Sequence, residues 1–110
     1  MASKKVIWEN EAERDFERIV AYLKENWGNQ SAKKFTVQVK QNIRLVSEQP
    51  KMFPTIFIKQ RIRKCVIVKQ VSMYYMELEV ENKILVVRLL DNRSSPEKIQ
   101  KKLEKYTRGN

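Results

Sequence analysis

The hydrophobic period of this chain changes once, near residue 61, and that change limits what it can fold into. Before it, apolar residues recur every three or four positions. Ala12, Phe16, Ile19, Val20, Leu23 and Trp27 form one stripe, and Ala32, Phe35, Val39, Ile43 and Val46 form a second. Each is the pattern of a helix with one face on a core. After it, the segments 62–68, 71–80 and 84–90 are rich in Val, Ile, Tyr and Leu, and Lys69-Gln70 and Glu81-Asn82-Lys83 separate them. Those spacers have hairpin lengths, so this half reads as a three-stranded antiparallel meander.

Local signals set the expected boundaries. Val6-Ile7-Trp8 reads as a short first strand. Asn10, with Glu13 three residues on, reads as a helix N-cap with a capping box. Gly28 closes a first helix of about Glu11–Trp27, and Asn29 or Ser31 caps a second of about Ser31–Glu48, ended by Pro50 and Pro54. A link this short makes the two helices an antiparallel hairpin. Residues 51–60 read as a loop whose Met52, Phe53, Ile56 and Phe57 pack on the core, and Trp8 and Trp27 as packing residues. The last strand is apolar enough to be buried on both faces. Ser95-Pro96 opens a final helix, with Ile99, Leu103 and Tyr106 on one stripe. The expected fold is α+β. It is a two-layer β-α-α-β-β-β unit, a helical hairpin packed on a small, mainly antiparallel sheet, with a short C-terminal helix. At 110 residues the chain is one domain over 1–110, with its core at about 5–93 and a basic helical tail at 95–107.

The net charge of +10 comes from two windows. Lys51, Lys59, Arg61, Arg63, Lys64 and Lys69 occupy 51–70 with no acid. Arg93, Lys98, Lys101, Lys102, Lys105 and Arg108 occupy 92–110 against Glu97 and Glu104. A localised positive field points to a polyanion or an acidic protein segment. The chain has no histidine and one cysteine. That removes the commonest acid–base group and metal ligand, so no metal site and no cofactor are expected. Cys65 lies in an apolar run and reads as a small core residue, and a lone cysteine forms no intrachain disulfide. No apolar run approaches the ~18 residues of a membrane span. The residues before Val6 lack the apolar region of a signal peptide. A cytoplasmic protein without a membrane partner is expected.

Among the candidate sites, Arg61, Arg63 and Cys65 should alternate on one face of the second strand, with Ile62, Lys64 and Val66 on the other. Arginines two residues apart on a strand stand ~6.6 Å apart and can grip neighbouring phosphates or carboxylates. Arg93 lies in the turn after the fourth strand, where Asp91 can hold it by a salt bridge. Tyr74 and Tyr75 point to opposite faces. One ring is expected in the core, and the other either packs in a core or interface, the favoured reading, or lies on the sheet surface where it could stack on a base. The lysines of the last helix include the like-charge i,i+4 pair Lys101–Lys105, which hints at an anionic partner.

Three segments together resemble the RelE/ParE family of toxins from bacterial type II toxin–antitoxin systems, over about residues 6–100. Ala12-Glu13-Arg14-Asp15-Phe16, continuing through Ile19 and Tyr22, is similar to the family's first-helix pattern. Arg63-Lys64-Cys65-Val66, with Tyr74-Tyr75 after it, resembles the basic strand and its hairpin partner. Val87-Arg88-Leu89-Leu90-Asp91-Asn92-Arg93, followed by Pro96, resembles the closing strand. The resemblance implies a cognate antitoxin as partner, with operator DNA reached only through the complex. It leaves two targets open: RelE-like members cleave mRNA on the ribosome, and ParE-like members inhibit DNA gyrase. A nuclease of this kind would work through Arg61, Arg63, Lys64 and Arg93. But Ser72 stands where RelE-like members carry an Arg, the place of their Tyr falls near Ile99, and Tyr106 lies too far along. The two long helical stripes are also closer to ParE. The expectation is a ParE-like binder that engages target or antitoxin through Lys59, Arg61, Arg63, Lys69, Arg88, Arg93 and Lys98. The alternatives are an mRNA endoribonuclease and an inactive module that only pairs with an antitoxin.

Overall fold

The computed structural model describes residues 3–106. Arg108 and the last residue of the expected 95–107 tail lie outside that range. The elements are β1 (Lys5–Trp8), α1 (Asn10–Trp27), α2 (Asn29–Glu48), β2 (Thr55–Phe57), β3 (Ile62–Val68), β4 (Val71–Leu78), β5 (Lys83–Asp91) and α3 (Pro96–Leu103). They form an α+β domain with one five-stranded sheet, in the order β1-β5-β4-β3-β2. β1 pairs parallel with β5, and every other pairing is antiparallel. The one element absent from the sequence reading is β2. Residues 55–57 were expected in a loop, but they pair with the start of β3 through an irregular register. Phe53 and Phe57 do pack inward, whereas Met52, Ile56 and Ile58 stay exposed.

The hairpin covers one face of the sheet. Ala12, Phe35, Val39 and Val46 meet Cys65, Ile67, Met73, Tyr75, Ile84, Val86 and Leu89 in the larger core, with Trp8, Phe16 and Ile43 at its margin. Cys65 is fully buried, and burial pushes its thiol up to about 11, far from a reactive state. The opposite face carries a second core. Ile99 and Leu103 of α3 pack there with Ile62, Tyr74, Met76, Val87 and Leu90. This cover decides between the two readings of the tyrosine pair. Tyr74 and Tyr75 point to opposite faces, and both rings are packed in a core, because α3 closes the second face.

The helix ends also differ from expectation, for local reasons. Asn10 does not cap α1. The Glu9 N–H bonds to the Val86 carbonyl at 2.9 Å, extending the β1–β5 ladder one residue past Trp8, and the Glu9 carbonyl then accepts the first helical bond, from Glu13. The boundary is therefore Glu9, without a side-chain cap. Neither Asn29 nor Ser31 caps α2. Gly28 at φ 91° ends α1 and begins α2 in a single residue, and the Ser31 hydroxyl donates to the Trp27 carbonyl instead. Trp27, at this tip, is 69% exposed and is not a packing residue. Ser95 and Pro96 start α3 as expected, the Ser95 Oγ accepting from the Lys98 N–H.

α1 is fixed to the sheet by one buried ion pair. β1 ends opposite Val86, so the second half of β5 lacks a strand on that side. Asp15, 4% exposed, takes its place. Its carboxylate accepts from the Leu89 N–H at 3.1 Å, and from Arg88 Nε at 2.6 Å and Arg88 Nη2 at 2.9 Å. Arg18 adds a second cation at 2.8 Å.

Two stability predictions follow. Asp15→Ala leaves Arg88 with only its longer contact to Glu11 and a strand N–H without its acceptor, and should cost about 3–5 kcal/mol in urea unfolding. Gly28→Ala meets no atom within 4 Å of the added carbon. Its cost should be backbone strain alone, about 1–3 kcal/mol by the same measurement.

Candidate functional site

Six cations without an acid over 51–70 predict a strongly positive surface, but the antiparallel register of β3 and β4 brings acids to them. Arg63 lies opposite Tyr75, so Glu77 and Glu79 come up beside Lys51 and the 58–61 turn. Lys51 Nζ is 3.3 Å from Glu77 and 3.9 Å from Glu79. Arg61 is 3.5 Å from Glu79, and Arg63 is 3.9 Å from Glu77. Lys4 reaches Glu77 at 3.0 Å. Burial pushes the Glu77 carboxyl up, yet hydrogen bonds from Lys4 and Lys51 outweigh it and hold the group below its ordinary value.

The candidate residues are thus distributed as follows. Arg63 points inward and donates to the Phe53 carbonyl at 2.6 Å and the Lys51 carbonyl at 3.3 Å. With the Tyr75 hydroxyl donating to the Pro50 carbonyl at 2.6 Å, it fastens the 50–54 loop. Arg61 does not alternate with Arg63 on the strand. It sits in the turn before β3 at φ 58°, its N–H bonded to the Ile58 carbonyl. Lys64 occupies the other face, and Lys59 is exposed beside Ile58. Arg88 is 12% exposed and belongs to the Asp15 contact. Its charged form is strengthened first by the hydrogen bonds to Asp15.

Lys69 and Arg93 lie in neighbouring turns at the opposite end of the sheet. Arg93 is exposed, and Asp91 holds it through Nε at 3.1 Å and Nη2 at 2.8 Å, with the Arg93 N–H also bonded to Asp91. The Asp91 carboxyl is lowered by these bonds, the guanidinium contact first. Asn92 ties this turn to the β3–β4 turn, its N–H bonding the Gln70 carbonyl at 2.8 Å and its amide the Lys69 carbonyl at 3.0 Å. Ser72 is fully buried and donates to Asn92 Oδ1 at 2.6 Å. Ile99 lies on α3 and is buried against the sheet.

The register measures how far apart these groups are. Arg63 opposes Tyr75 and Asp91 opposes Val71. Four residues along β4 and two strand spacings across it separate their backbones by about 16 Å. Arg61 is farther still. The four candidate nuclease cations do not converge on one point. Among the described residues, no cluster of His, Cys, Asp or Glu could hold a metal ion, and no helix is long and apolar enough to cross a membrane.

In the C-terminal window, Lys98, Lys101 and Lys102 are exposed. Lys105 is paired, at 2.6 Å from Glu11, and the Tyr106 hydroxyl donates to the same carboxylate. The sequence reading missed Glu11, Glu77 and Glu79, because each meets its cations only through tertiary pairing. Tyr22, named only within the family pattern, is a further exposed ring.

Glu11 gives a pH prediction. Hydrogen bonding from Lys105 first, and from Tyr106 second, holds its carboxyl at about 2, against an ordinary value of 4.5. The lowered value means that the contact stabilises α3 fully above pH about 4.5 and is lost as pH falls towards 2. Leu103 amide protection, relative to the intrinsic exchange rate at each pH, should stay high above that range and fall below it, and Glu11→Gln should remove the dependence.

Sequence and structure comparisons agree with this architecture. The profile of the ParE toxin of the type II toxin–antitoxin system parDE matches residues 6–96. The fold is similar to that in the chromosomal ParDE toxin–antitoxin system from P. aeruginosa, with a TM-score of 0.68 at 12% identity, covering 81% of this chain and 96% of the other. It is also similar to the toxin–antitoxin complex RelBE2 from Mycobacterium tuberculosis, with a TM-score of 0.51 at 13% identity, covering 86% and 97%. No curated protein matches the chain in sequence. The family match runs from β1 to the start of α3, so the chain belongs to the ParE toxin family of type II toxin–antitoxin systems.

Proposed function

We propose that this toxin acts by binding an essential target such as DNA gyrase, and that a cognate antitoxin neutralises it. The observation that carries the reading is the separation of its cations. Cleaving RNA through a 2′-OH requires a base, an acid and phosphate-holding cations around one phosphate. Here Arg63 is engaged with the Lys51 and Phe53 carbonyls of the 50–54 loop, and the Arg93 turn stands about 16 Å away along the register. A binding surface needs no such convergence. The rival reading, a ribosome-dependent endoribonuclease using Arg61, Arg63, Lys64 and Arg93, would have to gather them on the ribosome.

For the antitoxin, the similar ParDE and RelBE2 structures are toxin–antitoxin assemblies, which supports such a partner here. The open edge of the sheet offers it a place. β2 pairs with only the start of β3, and exposed Ile56, Ile58 and Val66 lie along that side with Lys59 and Lys64. An acidic, amphipathic segment fits this combination. Operator DNA would be reached through that complex.

Purified toxin is expected to inhibit gyrase supercoiling while leaving message intact in a translating extract. Cleavage that disappears in Arg93→Ala would overturn the reading. Antitoxin affinity should fall as salt rises, and a flat response would exclude an electrostatic dock.

A further inference from the structure

The end of the sheet that carries Arg93 has a second exposed group. α1 and β5 advance together from the Glu9–Val86 bond to the Asp15–Leu89 bond. From that contact Tyr22 lies seven residues along α1, about 10.5 Å on. Arg93 lies four residues along the chain, in the turn just past the end of β5. The two side chains therefore emerge at the same end, and the Tyr22 phenol lies within electrostatic reach of the Arg93 guanidinium. Tyr22 is 59% exposed, and the Arg93 side chain 79%. Arg18, one turn before Tyr22 on α1, is exposed beside it.

This platform is held in advance of any partner. Asp91 fixes Arg93 by three hydrogen bonds, and Asn92 and Ser72 tie its turn to the Lys69 turn. Tyrosine and arginine are among the residue types enriched at the energetic centres of protein interfaces, and holding Arg93 through Asp91 lowers the ordering entropy that opposes docking. Charge decides the kind of partner. Asp91 offsets Arg93, but Asp15 already pairs with Arg88, so Arg18 and Lys69 are left as excess positive charge on this side. Two such charges suit a carboxylate and give a nucleic-acid backbone little to gain, since phosphate binding rests on many cations along a track.

We infer that Tyr22 and Arg93 form the anchor of the target-docking surface, and that they receive a protein segment presenting a carboxylate beside an apolar side chain. The inference rests on the reading that the toxin acts by binding. It assigns target contact to the α1–β5 side and leaves the β2–β3 edge to the antitoxin.

The test uses the full chain and the variants Tyr22→Ala, Tyr22→Phe and Arg93→Ala, in growth arrest on induction and in gyrase supercoiling. Both side chains are exposed, so thermal unfolding should be nearly unchanged. Tyr22→Ala and Arg93→Ala are expected to lose growth arrest and to weaken gyrase inhibition at least ~10-fold, while Tyr22→Phe retains both. Full growth arrest by either alanine variant overturns the inference. If the wild-type chain arrests growth without inhibiting gyrase, the gyrase reading fails and the growth assay alone decides the anchor. A wild-type chain that does neither overturns both. Binding of a short single-stranded DNA or RNA oligonucleotide that is lost in Tyr22→Ala would show a nucleic-acid surface instead and overturn the choice of partner.

Discussion

The Asp15 carboxylate closes the sheet where its shortest strand runs out. β1 spans four residues and β5 nine, so the parallel pairing ends at Val86 and leaves β5 with an open side. An unpaired strand N–H away from water is costly, and Asp15 supplies the acceptor for Leu89. A buried carboxylate is costly in turn unless it is paired, and Arg88 pairs it through two nitrogens. One turn earlier on α1, Glu11 lies 3.8 Å from Arg88 and takes Lys105 and the Tyr106 hydroxyl from the other side of the sheet. The helical hairpin, the last strand and the C-terminal helix are therefore tied at one place.

That tie sets the shape of both surfaces. With α3 held across the sheet, the face that would have exposed Tyr74 becomes a second core. What remains open is the β2–β3 edge with its aliphatic side chains, and the end where Tyr22, Lys69 and Arg93 emerge. The first combines apolar area with lysines and suits an amphipathic partner. The second is tied by the Asp91 and Asn92 contacts, modestly positive and rich in hydrogen-bond donors. The two surfaces lie on different sides of the domain, so target and antitoxin need not share one set of contacts.

Much of this was legible in the residues. The two helical stripes, Gly28 between them, the strand-rich second half and the Ser95-Pro96 start of α3 all appear where the spacing put them. They were legible because periodicity and turn chemistry act over a few residues. The capping of α1 was not. A strand ladder carried one residue further made Glu9 the boundary and pulled Asn10 into the helix. β2 was hidden for a similar reason. Three residues bounded by a proline have little pattern of their own, and only β3 makes them a strand.

Charge marks the limit most clearly. The sequence by itself determined the α+β order, the placing of cations in two windows and the absence of imidazole chemistry, because these depend on composition and short-range spacing. Only the tertiary structure decided which charges are spent. Glu77 and Glu79 meet Lys51, Arg61 and Arg63 through cross-strand register, and Asp15 meets Arg88 across seventy-three positions of chain. An ion pair acts over a few ångströms, and which groups come that close is fixed by how the strands align rather than by where they stand in the chain.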